Sequence, residues 1–173
     1  ATVFAQVPEP PRATLKTDGA WRLALGLGAS YASGNTRAST LSLSGDAVRA
    51  SETSKWTLGG RYLNGRSNGT TSADQTVFGT RYDRDVEGPW FQYGQAGYLR
   101  DPIANVSAEY SVGAGIGRHL VRGDAHTFDV FAGLGYVHDD YVASRIVAGQ
   151  LRDRYDRPEV QFGEESSHRL SGT

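Results

Sequence analysis

The 173 residues suit a single domain, carry a net charge of −1 and include no cysteine. That removes a basic field for nucleic acid, a disulfide framework and any thiolate metal site. Hydrophobic residues reach only 38%, and no run approaches the ~18 apolar residues of a membrane-spanning helix. The 22 glycines are roughly double the average share of about 7%. With 9 tyrosines, they point to a β-rich barrel or sandwich.

Residues 1–19 read as a lead-in rather than as part of the fold. Val3 and Ala5, one residue apart, match the small-residue spacing before a signal-peptidase cut. Pro8, Pro10 and Pro11 then favour an extended segment. The expectation is a signal-peptide remnant and Pro-rich stretch over 1–19, followed by a barrel domain over 20–173.

From Trp21 to Tyr31, Trp21, Leu23, Leu25, Leu27, Ala29 and Tyr31 alternate with Arg22, Ala24, Gly26, Gly28 and Ser30. Period-two alternation of this kind is a strand with one apolar face. Ser33-Gly34-Asn35-Thr36 turns the chain, since Gly and Asn accept positive φ. Thr36 to Ala50 sets Leu41, Leu43 and Ala47 against Ser42, Ser44 and Asp46. After the polar turn Ser51–Ser54, Lys55 to Asn64 places Trp56, Leu58 and Tyr62 on one face and Arg61 opposite. Gly65 to Ser72 reads as a loop, Ala73 to Arg84 as a strand bearing Phe78 and Tyr82, and Val86 to Pro89 as a tight turn. Trp90 to Arg100 groups Phe91, Tyr93 and Leu99 against Gln92, Gly94 and Arg100.

Beyond Asp101-Pro102, Val106 to Leu120 is the clearest element. Val106, Ala108, Tyr110, Val112, Ala114, Ile116 and Leu120 share one face, interrupted by Arg118, while Ser107, Glu109, Ser111, three glycines and His119 share the other. This exceeds the usual 5–6 residues of a strand and reaches the ~9–11 that cross a bilayer at a tilt. Arg122-Gly123-Asp124 turns the chain into His126 to Val137, where Phe128, Val130, Ala132, Leu134 and Tyr136 alternate with Asp129, Phe131, Gly133 and Gly135. Asp139 to Ser166 shows no clear period and reads as a long charged loop, with a short strand extension over Arg145 to Leu151. His168 to Thr173 reads as the start of an eighth strand. Single-chain bacterial barrels use even strand numbers, so seven strands and a beginning point to a C-terminally incomplete domain.

Alternation alone leaves open which face meets lipid. A lipocalin-like barrel carries the same period with the faces exchanged. The less apolar face is crowded with glycine, which makes room inside a small barrel and weakens a solvent-facing strand. Trp21, Tyr31, Trp56, Tyr62, Tyr110 and Tyr136 fall near strand ends, as in the aromatic girdles of membrane barrels. The expectation is therefore an antiparallel up-and-down transmembrane β-barrel. Arg22, Asp46, Arg61, Glu109 and Asp129 would sit inside it as an ion-pair network, and those aromatics at the lipid interface.

Leu25-Gly26-Leu27-Gly28-Ala29-Ser30 followed by Ser33-Gly34-Asn35-Thr36 resembles the opening of the YdiY-type, salt-induced outer-membrane protein family, a domain family of unknown function. Arg81-Tyr82-Asp83, Phe91, Tyr93, Asp101 and Gly113-Ala114-Gly115-Ile116-Gly117 follow in that family's order. The resemblance spans Trp21 to Tyr141. It implies an outer-membrane location, with outer-membrane lipids, lipopolysaccharide and the barrel assembly machinery as partners, and it implies no molecular activity.

The residues themselves suggest no catalytic, cofactor or metal site. The glycines of 113–117 sit within a strand, whereas a phosphate loop needs them between a strand and a helix. His119, His126, His138 and His168 form no HExxH pattern. Ser107, Glu109, Ser111 and His119 share a face, but Ser111 and His119 are about 26 Å apart at ~3.3 Å per residue. An outer-membrane lipid hydrolase or acyltransferase would need a second strand to complete a triad. The alternating Asp, Glu and Arg residues beyond Asp139 read as a solvated, self-paired loop.

Overall fold

A computed structural model describes residue 13, residues 15–123 and residues 126–168. The signal-peptide reading of the first residues and the stretch 169–173 lie outside them. Eight strands form one antiparallel sheet in sequence order: β1 Trp21–Ala32, β2 Ala38–Ala50, β3 Ser54–Ser67, β4 Thr70–Asp85, β5 Trp90–Asp101, β6 Val106–Arg122, β7 His126–Val147 and β8 Gln150–His168. The only helical element among the described residues is a single 3-10 turn, Pro102–Ala104, between β5 and β6. The architecture is all-β and up-and-down, as the alternation predicts.

Two expected loops are hairpins instead. Asn68 and Gly69, both at positive φ, join β3 to β4 in two residues, so the predicted loop from Gly65 shrinks to a turn. The primed turns that suit strand twist need two such residues, and Asn-Gly supplies them cheaply. Ala148 and Gly149 do the same between β7 and β8. The charged stretch from Asp139 is therefore not a loop, and the eighth strand begins at Gln150 rather than His168. The sequence hides this hairpin because charged residues such as Asp139, Asp140, Arg145, Arg152 and Asp153 interrupt both faces and break the apolar period, although Val142, Ile146, Val147 and Leu151 flank its turn.

The sheet is strongly curled. At ~4.8 Å per strand, β3 and β8 would be about 24 Å apart in a flat sheet. Yet Lys55 on β3 donates to Glu165 on β8 at 2.9 Å. Tyr93 on β5 donates to Gln161 on β8 at 3.2 Å, and the Arg81 guanidinium on β4 lies 4.4 Å from the Phe131 ring on β7. These contacts define a concave face lined by odd-numbered positions of β4 to β8.

Glycine holes permit this curl. A Cβ on Gly117 would stand 2.7 Å from Phe91 Cε2, one on Gly163 2.8 Å from Phe131 Cε2, and one on Gly113 2.8 Å from Gln161 Nε2. Bulky groups of one strand thus fill positions left empty on another. The orientation of β5 follows from this and corrects one expectation. Phe91 and Tyr93, grouped above with Leu99 on the apolar face of this strand, are 4% exposed and point into the concave face. Gln92, Gly94 and Ala96 point outward.

β1 and β8 carry the two edges of the sheet. Pro158 lies within β8, opposite Tyr136 and away from any bulge. A proline is admitted there only with its missing N–H turned away from the ladder, toward the open edge.

Candidate functional site

Three polar clusters occupy the concave face. Near the end that holds the β2–β3 and β4–β5 turns, His119 Nδ1 lies 2.7 Å from Asp129 and Nε2 3.1 Å from Asp85. Arg122 bridges the same Asp85, and Phe91 stacks on the imidazole with centroids 4.7 Å apart. At mid-height Arg81 is 8% exposed, pairs with Asp83 at 2.8 Å and lies over Tyr93 at 4.3 Å. Gln161 accepts from both Tyr93 and Gln95 there.

Toward the opposite end, Arg157 on β8 gathers three carboxylates: Glu109 at 3.8 Å, Glu159 at 3.1 Å, and Asp139, which accepts its Nη1 hydrogen bond. Glu109 and Asp139 stand directly opposite each other on β6 and β7. Like charges so placed repel, and Arg157 is what offsets them. Asp139 is 5% exposed, and its Oδ1 has no hydrogen-bond partner among the described residues.

The predicted interior residues therefore reach different surroundings. Glu109 and Asp129 join two separate clusters. Arg61 donates to Gln75 at 3.1 Å, and Gln75 to Asp101 at 3.0 Å, a further polar chain. Arg22 pairs with Asp18 at 2.6 Å, in the lead-in rather than across the sheet. Asp46 stands between Ala24 and Gly59 in the register. Sequence reasoning missed Arg81, Asp85, Asp139, Arg157 and Gln161, which belong to strands whose partners no local pattern reveals. Ser107 and Ser111 do not complete a triad: among the described residues no serine hydroxyl bonds to His119, and Glu109 is held by Arg157 at the other end of β6.

The convex face is the reverse. Leu25 is 81% exposed, Leu134 69%, Ile116 60% and Phe162 80%, and Leu23, Leu27, Leu43, Val112 and Val160 lie exposed beside them. Aromatic residues bound this belt. Trp21, Arg49, Trp56 and Tyr82 stand in one register row across β1 to β4, with ring centroids 5.6 Å apart for Trp21–Trp56 and 6.0 Å for Trp56–Tyr82. Trp56 donates to Thr80 at 2.8 Å, and Trp90 continues this margin on β5. Tyr31, Tyr62, Tyr98, Tyr110 and Tyr136 mark the other, with Tyr98 and Tyr110 paired at 5.3 Å.

A family model described as "Protein of unknown function, DUF481" matches residues 25–171. The chain belongs to this family. It is also similar to the uncharacterized protein YdiY of Escherichia coli (strain K12), at 28% identity over 142 residues that take in 81% of this chain and 54% of the relative. The chain thus spans about half the length of the curated relative it matches. No solved structure matches it. No helix among the described residues is long and apolar enough to cross a membrane, which leaves strand-based crossing open.

Proposed function

We propose that the chain forms the wall of a bacterial outer-membrane β-barrel with an envelope-structural, salt- or stress-related role and no catalysis. The observation that carries this is the inversion of the sheet: large apolar side chains exposed on the convex face, ion pairs and glycine on the concave one. Water disfavours that arrangement at about 25 cal/mol per Å² of apolar surface. Lipid favours it.

The height of the belt agrees. Tyr98 follows Trp90 by eight residues on β5, about 27 Å along a strand at ~3.4 Å per residue. Tilted by ~40°, this is about 21 Å, close to the ~25 Å apolar band of outer-membrane barrels. β7 runs past Tyr136 to Val147, so its hairpin with β8 projects beyond the tyrosine margin. Projecting connections belong to the external side of such barrels, so on this reading the Trp21–Trp56–Tyr82 margin faces the periplasm. Lipid tolerates no unpaired strand edge, so this reading requires the β1 and β8 edges to be paired in the membrane.

The test is fractionation of cells producing the full-length protein, followed by gels of heated and unheated sample. Recovery with outer membranes and a heat-dependent mobility shift are expected. Recovery in the soluble periplasm without detergent would overturn the reading in favour of a lipocalin-like binder.

A further inference from the structure

The charges on the convex face differ at its two margins. At the tyrosine margin Arg100 pairs with Asp74 at 2.8 Å and His138 with Asp156 at 2.6 Å, while the exposed Arg66 and Arg154 meet no carboxylate among the described residues. At the tryptophan margin Arg49, Arg84 and Arg118 are exposed, and none meets a carboxylate among the described residues. Arg118 lies 5.6 Å from the Trp90 ring. Arg49 donates only its Nε, to the Gly19 carbonyl at 2.8 Å, which leaves both terminal nitrogens free to donate. Glu52 and Glu87 at this end belong to the turns, beyond the arginine row, and Glu164 stands in the Arg118 row two strands away on β8.

Beside Arg49 the surface is recessed. Arg49, Ser51, Ser54, Trp56 and Tyr82 line a hollow of about 610 Å³. Ser51 Oγ and Ser54 Oγ are 2.8 Å apart, and Ser51 Oγ also donates to the Ser54 carbonyl at 3.4 Å, so these hydroxyls are engaged within the turn. A guanidinium and two aromatic faces at one water–lipid boundary suit a phosphodiester. The planar fork of arginine binds two phosphate oxygens at once, while Trp and Tyr rings lie well at headgroup level.

We infer that this recess binds the phosphate of an anionic glycerophospholipid in the periplasmic leaflet, with Arg49 as its main ligand and Arg84 and Arg118 holding further headgroups along the same margin. The inference rests on the membrane reading above and deepens it. Charge complementarity selects the occupant: three arginines without a carboxylate partner among the described residues share this margin with a recess walled by Trp56 and Tyr82, and face a layer of phosphates. A membrane lipid is favoured over a free ion because the recess opens beside the apolar belt, where acyl chains would continue along Leu23, Leu58 and Phe78.

The experiment is native mass spectrometry of the full-length protein in detergent, titrated with phosphatidylglycerol, with phosphatidylcholine, and with inorganic phosphate. The wild type is expected to retain phosphatidylglycerol in preference to phosphatidylcholine. Arg49→Gln is expected to weaken retention about five-fold, and the Arg49→Gln, Arg84→Gln, Arg118→Gln combination about a hundred-fold, at roughly 1 kcal/mol per surface arginine. Arg100→Gln, at the other end, where the guanidinium is already paired with Asp74, is expected to leave it unchanged. Heat-shifted mobility confirms that each variant is folded. Equal retention by the folded triple variant would overturn the lipid site while leaving the membrane reading intact. Displacement of phosphatidylglycerol by inorganic phosphate would overturn it in favour of a small-anion site. A wild type that needs no detergent and does not float with vesicles would sink both readings together.

Discussion

Phe91 on β5 covers the backbone of Gly117 on β6, so that a methyl group at residue 117 would overlap its ring. The ring is also stacked on His119 and is almost fully buried, so it has little freedom to retreat. Overpacking of this kind costs about 1–3 kcal/mol. Gly117→Ala is expected to lower the temperature of the heat-induced mobility shift, and Phe91→Leu in the same chain to restore part of the loss. Additive losses in the double variant would show that the two residues do not meet.

Removal of Arg157 leaves Glu109, Asp139 and Glu159 facing one another without a cation. Breaking a buried pair by deleting one partner costs about 3–5 kcal/mol. Arg157→Met is expected to fall in that range by urea unfolding in detergent micelles, and adding Glu109→Gln to recover part of it by removing one of the opposed charges. An Arg157→Met protein as stable as wild type would show that the cluster is hydrated rather than held by the arginine.

The curl of the sheet is open to direct measurement. The chain has no cysteine, so Lys55→Cys with Glu165→Cys gives one addressable pair. A bifunctional thiol reagent about 10 Å long is expected to join them, because the native side chains meet at 2.9 Å. A flat sheet would hold β3 and β8 about 24 Å apart and give no cross-link.

Leu134 separates lipid from water as the solvent of the convex face. It is 69% exposed, so Leu134→Arg would be nearly neutral in water. Facing the middle of a bilayer it would cost about 2–4 kcal/mol. The larger loss is expected, read as the change in unfolding free energy in lipid vesicles; a change within 0.5 kcal/mol would contradict burial of this face in lipid.

Outside the sheet, the Arg22 guanidinium grips Asp18 through two hydrogen bonds and holds its carboxyl well below the usual carboxylate range, with the Ala20 amide donating to the same carboxylate. A depressed folded-state pKa means that the clasp's contribution is complete above the ordinary aspartate value. It is lost as pH falls through the lowered one. Protection of the Ala20 amide, referenced to its intrinsic exchange rate, is expected to decline on strong acidification. Asp18→Asn should remove that pH dependence.

What the sequence reveals depends on which solvent each face meets. β1 and β6 are legible because one face is apolar, save for Arg118 on β6, while the other carries glycine and polar groups, so the alternation is nearly unbroken. The β7–β8 hairpin is illegible beyond Tyr136 because charges on both faces break the apolar period around Val142, Ile146 and Leu151, although Val160 and Phe162, spaced by two, mark β8. β5 misleads for a different reason. Phe91 and Tyr93 look like outward residues until the empty positions at Gly115 and Gly117 on the neighbouring strand are known, and those depend on register. The clusters are hidden in the same way. Glu109 and Asp129 stand out as charges within an alternating strand, but Arg157, 48 positions beyond Glu109 in the chain, is its neighbour only after the sheet curls.

Pro158 gives the β8 edge a keyed outline. A strand laid against that edge meets one site with no donor to offer, so an arrangement that needs a bond there is penalised while one that steps over it is not. Such a gap also hinders the indiscriminate edge-to-edge stacking through which exposed strands aggregate. One imino acid thus acts as a gatekeeper, favouring a register-selective partner over a promiscuous one.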